Sequence, residues 1–142
     1  MPGDRIELQA EVDARRVDVY RLFATPEGLA QWVDAAEMQP RVGSPVRLVL
    51  RDAVAVGTVL AVDPPQHISW SFDWEGDPLR FSTVLALDVI DHGERSHVTL
   101  RHVGLRTREQ QELHTALWSY WFGDRFRDAV RRLEPKPVNA ID

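Results

Sequence analysis

The chain has 142 residues, 44% hydrophobic and 27% charged, with a formal net charge of -5. That length suits one core of ordinary size, and that balance excludes a mainly disordered polymer. The absence of cysteine excludes disulfide scaffolds, thiolate metal sites and cysteine nucleophiles. An acidic balance with no basic stripe argues against a nucleic-acid partner.

The opening MPGDRIELQ has neither the basic start nor the apolar run of a signal peptide. No apolar stretch nears the roughly 20 residues that cross a bilayer. The expectation is a cytoplasmic protein with no membrane partner.

Arg5 to Asp13 alternates apolar with polar residues, with Ile6, Leu8, Ala10 and Val12 on one side. That period of two is a half-buried strand. Asp13 offers a helix N-cap, and Val17, Tyr20, Leu22 and Phe23 have the spacing of a short helix. Thr25-Pro26 then opens a second short helix bearing Leu29 and Trp32, with proline at its first position.

From Pro40 to Gly104 the chain reads as strands joined by short turns. Val46–Leu50 alternates. Val54–Val62 is a nearly continuous apolar run with Gly57 inside it, a bulge or close backbone approach. Asp63-Pro64-Pro65 ends that strand, because proline has no amide proton for the ladder. Ile68, Trp70, Phe72 and Trp74 mark the next strand, Phe81–Ile90 a long one, and Val98, Leu100 and His102 the last, closed by Gly104.

Thr107 and Gln110 form a T-x-x-Q capping box, and helical spacing runs from there to about Leu133. Two apolar sets on this helix are slightly rotated about Gly123, which predicts a kink. Glu134-Pro135 ends it.

The predicted order is strand, two short helices, about five strands and one long helix. The fold class is therefore α+β: a curved antiparallel sheet of about six strands around a long C-terminal helix, with space between them. The domain runs over 1–134, and 135–142 is a tail.

Several segments in this order resemble the heat-shock-protein ATPase activator homologue family of the START-like (SRPBCC) superfamily. They are Val19–Leu29 with Trp32, Gly57–Pro65, Ile68–Phe72, Thr99–Leu105, and His114 with Trp118. The resemblance spans Arg5 to Leu133 and implies a helix-grip fold with a cavity, but no shared catalytic residues. Leu117 stands where the family usually has glycine, which implies a narrower cavity. Family members often pair, so a homodimer through Trp121 or Phe122 is expected, and the family name implies a chaperone partner.

Strand parity and helix spacing assign a ligand-binding cavity to Trp70, Phe72, Phe81, Leu85, Leu100, His102, Leu117, Trp118 and Tyr120. The ligand is a small hydrophobic or aromatic molecule, with His102 and Tyr120 orienting it. The alternatives are a cyclase or aromatase using His102 with Arg101 or Tyr120, and a protein-interaction module. Binding is favoured over catalysis, since Glu109 and Glu112 read as helix-start acids and Ser69 and Ser71 lack a nucleophile elbow. No cofactor or metal is expected: only His102 and His114 can converge, and two ligands without a carboxylate make a poor zinc site.

Overall fold

Backbone pairing in the structure, a computed structural model that describes residues 4–133, follows the alternation closely. Seven strands, β1 (Arg5–Val12), β2 (Ala35–Glu37), β3 (Pro45–Leu50), β4 (Ala53–Asp63), β5 (His67–Trp74), β6 (Thr83–His92) and β7 (Arg95–Val103), form one sheet. Every pairing is antiparallel, in the order β1-β7-β6-β5-β4-β3-β2. The count corrects the expected six. The extra strand is β2, whose three residues pair with Arg47–Val49 of β3. Three residues are too few to display a period of two.

Gly57 behaves as its place in an apolar run implies. A Cβ there would strike the Ser71 carbonyl oxygen of the neighbouring strand, so only glycine lets β4 and β5 approach. The register of that pair also shifts between Val59 and Ala61, a bulge that bends the strand.

Two short helices follow β1: α1 (Arg16–Ala24) and α2 (Pro26–Leu29). Asp13 does not cap α1. Arg15 holds that position without a side-chain bond. The cap of α2 is as expected, with Thr25 Oγ1 accepting from the Gly28 amide at 2.9 Å. Trp32 then ties the pair to the core by donating its indole N–H to the Leu22 carbonyl at 2.7 Å.

The final helical stretch has three parts: α3 (Arg108–Tyr120), a π-helical turn (Trp121–Phe126) and α4 (Arg127–Arg131). Thr107 Oγ1 accepts from the Gln110 amide at 3.1 Å. Side-chain return at this end comes from Gln111, which donates to the Leu105 carbonyl at 2.7 Å.

The predicted kink at Gly123 is the π turn. Its extra residue rotates the helix face, so Trp121 and Phe122 are 3% and 1% exposed. Phe122 stacks on Phe126 with ring centroids 5.1 Å apart. This corrects the expectation that these two aromatics form an outward homodimer patch. The expected stop at Glu134-Pro135 and the tail lie outside the described residues.

His114 and Trp118, one turn apart on α3, are buried against Phe72 of β5 and His102 of β7. Each large apolar side chain sealed there contributes about 1.5–3 kcal/mol. No helix among the described residues is long and apolar enough to cross a membrane.

Candidate functional site

The inward strand residues converge as their parity demands. Trp70, Phe72, Leu85, Leu100 and His102 are at most 3% exposed, and Trp118 meets them from α3 fully buried. They interlock: Phe72 sits edge-on to His102 at 4.6 Å and to Trp118 at 5.8 Å between ring centroids. The space between sheet and helix is occupied at this level by side chains.

Three of the nine candidates lie elsewhere. Phe81 precedes β6, in the β5–β6 loop, with the Arg106 guanidinium 5.8 Å over its ring. Leu117 and Tyr120 lie at the edge of α3, partly buried against the core.

His102 is satisfied by protein partners. Its Nδ1 accepts the Trp118 indole N–H at 3.1 Å. Its Nε2 lies 3.0 Å from Thr83 Oγ1, and that hydroxyl donates to the Phe72 carbonyl at 2.6 Å. With the hydroxyl proton committed to Phe72, the proton of the imidazole must sit on Nε2.

His114 carries the opposite tautomer. Its Nδ1 donates to the Gln110 carbonyl at 2.8 Å, and its Nε2 accepts the Trp74 indole N–H at 3.1 Å. The two rings are 4.8 Å apart. Burial, reinforced by His114, pushes the His102 pKa down to about 3, and burial lowers that of His114. Both rings are neutral hydrogen-bond hubs, and neither nitrogen of His102 is left for a substrate.

Arg101, invoked with His102 for a cyclase, faces the other side of the sheet. It donates to Glu7 at 3.0 Å and to Asp88 at 2.8 Å, because residues adjacent along a strand point to opposite faces. His97 belongs to that outer face too, bonded to Glu11 and Gln9. Among the described residues no group of three or more His, Cys, Asp or Glu is placed to hold a metal ion.

The open space lies beside this packed layer. A cleft of about 850 Å³ runs between the start of β4, the end of β5, the β5–β6 loop and the first turns of α3. Trp74, Phe81, Leu113 and Leu117 give it apolar walls, and Asp52, Glu75, Asp77, Arg80 and Glu109 are among its polar residues. Trp74 joins cleft to interior, lining one while bonding to His114 of the other.

Parity and helix spacing reached only Phe81 and Leu117 of this lining, because much of the rest comes from the turns after β3 and β5. The signals were present in the turn Glu75-Gly76-Asp77-Pro78 and in Leu113, which is 51% exposed.

Residues 13–131 match the family described as Activator of Hsp90 ATPase homolog 1-like protein. No curated protein matches the chain. Among solved structures, a protein from Chromobacterium violaceum is 18% identical with a TM-score of 0.75, over 96% of this chain and 100% of that one. CalU16 from Micromonospora echinospora is 20% identical with a TM-score of 0.73, over 94% and 77%. The Aha1 dimer from Colwellia psychrerythraea is 17% identical with a TM-score of 0.72, over 89% and 95%. At such identities these likenesses establish the fold alone.

Proposed function

The chain belongs to the family of activator of Hsp90 ATPase homolog 1-like proteins, a helix-grip fold suited to holding ligands, and on that footing we propose that it binds a small hydrophobic or aromatic molecule. The observation that carries the reading is the cleft of about 850 Å³ at the mouth of the space between sheet and α3. Its size lies within the roughly 300–1,000 Å³ of small-molecule sites, and its mix of apolar walls with a few polar groups is also theirs. Phe81 and Leu117 of the candidate set line it. Trp70, Phe72, Leu85, Leu100, His102 and Trp118 belong to the buried layer that Trp74 joins to it, and Tyr120 lies one helical turn beyond Leu117 on α3.

The test is fluorescence titration with the uncharged apolar probe N-phenylnaphthylamine. Wild type should bind it, and Leu113→Asp should weaken binding about tenfold, since a charge replaces an exposed apolar wall residue. Unchanged affinity in Leu113→Asp would move the site elsewhere. Absence of binding to wild type would remove the reading.

The likeness to the Aha1 dimer favours a second reading, association with a further copy or with a chaperone. Sedimentation equilibrium tests the first and pull-down with purified Hsp90 the second. A mass of 16.2 kDa and no capture would remove both.

A further inference from the structure

Next in the chain to Asp52, and one helical turn beyond Leu117, both of which line the cleft, two arginines from distant parts of the chain meet one phenol. Arg125 Nη1 donates to Tyr120 Oη at 3.3 Å. The Arg51 guanidinium lies 4.7 Å over the Tyr120 ring. Arg125 also rests 5.3 Å over the Trp121 ring, so both cations are held against aromatic faces, an arrangement that guanidinium makes more often than ammonium because its plane also stacks on the ring. Ion pairs elsewhere occupy Arg47, Arg95 and Arg101. Arg51 and Arg125 turn to the phenol.

The backbone supports this placement. Arg51 occupies the left-handed region, with φ 62, in the turn between β3 and β4. Glycine or asparagine adopts that conformation with less strain. Asp34 Oδ2 holds it there by accepting the Arg51 amide at 2.8 Å. The Tyr120 hydroxyl is made more acidic by Arg125 and then Arg51, as expected where positive charge gathers. Tyr120 lies three residues after Leu117, hence on the same helix face, and Arg51 directly precedes Asp52. The cluster therefore adjoins two residues of the cleft wall, Asp52 and Leu117.

We propose that Arg51, Arg125 and Tyr120 form an oxyanion subsite, and that the molecule held in the cleft is an apolar or aromatic body carrying a carboxylate or phosphate. This deepens the reading above and rests on it. Two guanidinium forks and a hydroxyl are donors matched to an oxyanion. The charged lining of the cleft itself is Asp52, Glu75, Asp77 and Glu109 against Arg80. An anionic group is repelled along most of the cleft and received by the adjoining cluster, which gives the ligand one orientation. Asp34 and Asp52 stand beside Arg51 and screen it on one side, so Arg125 and the phenol form the open half of the subsite.

The experiment compares two probes that share one skeleton, anilinonaphthalene sulfonate and N-phenylnaphthylamine, in wild type and in an Arg51→Gln/Arg125→Gln double variant. Melting temperatures confirm that the variant folds. Wild type should bind the sulfonate about tenfold more tightly than the uncharged probe, and the variant should lose that preference while keeping the uncharged probe. Equal affinities in wild type, or a preference that survives the double substitution, would overturn the subsite and leave the cleft standing. Binding of neither probe would remove the cleft reading beneath it. Decanoate and octyl phosphate should each displace the sulfonate at least about tenfold more effectively than inorganic phosphate. Displacement by inorganic phosphate at the same concentration would make this a free-anion site and overturn the amphiphilic ligand.

Discussion

Acidification should destabilise this protein through His102 before its carboxylates are neutralised. The imidazole is fully buried with a pKa pushed down to about 3, against about 6.5 for an unfolded chain. Between those values the unfolded state binds a proton that the folded state refuses. Stability is therefore fully present above about pH 6.5 and falls as pH drops toward 3. The cost from His102 alone is about 2 kcal/mol between pH 7 and pH 5 and about 4 kcal/mol by pH 3.

The physical reason is burial, reinforced by the neighbouring His114, and the Trp118 indole N–H already points at Nδ1. A proton added there sets donor against donor. His114 is shifted in the same direction and adds to the slope. The carboxyls of Glu7 and Glu11 are lowered by hydrogen bonds, from Gln9 and from His92 and His97 first, so their losses come below the ordinary carboxylate range.

The window from pH 6.5 to pH 5 is therefore the informative one. Urea unfolding across it should show a steep fall for wild type and a shallower one for His102→Gln, by about one proton. Imidazole NMR should show a neutral ring with its proton on Nε2 down to pH 5. Equal slopes in the two proteins, or a His102 resonance that titrates near pH 6.5, would refute the reasoning.

Two tryptophan substitutions of equal size should differ. Trp118→Phe strands His102 Nδ1, whereas Trp70→Phe removes an indole whose buried Nε1 has no partner, so the first should cost about 1–3 kcal/mol more in urea unfolding. Gly57→Ala drives a methyl into the Ser71 carbonyl and should cost about 3 kcal/mol or prevent folding, read by circular dichroism and expression yield. Thr107→Ala removes the α3 cap and should cost about 1 kcal/mol, while Thr107→Ser should restore most of it in the same melt.

Local sequence determined which residues alternate, and therefore which face inward. That is why strand alternation alone groups Trp70, Phe72, Leu85, Leu100 and His102 on the buried face. It also determined the caps at Thr25 and Thr107, the close approach at Gly57 and the irregularity at Gly123, because each depends on bonds or sterics within a few residues.

Only tertiary structure decided what stood opposite those inward residues. Trp118 and His114 complete the hydrogen bonds of His102 and Trp74, which makes the interior a closed layer. A π turn buries Trp121 and Phe122, and the sense of that rotation depends on the core that receives them. Phe81 lies outside the strand that its alternation suggested, so it lines the cleft beside Leu117. Arg51, Tyr120 and Arg125 share no motif or period. Their meeting is set by a turn, a helix edge and a π turn brought together by the fold, and no reading of neighbouring residues reaches that distance.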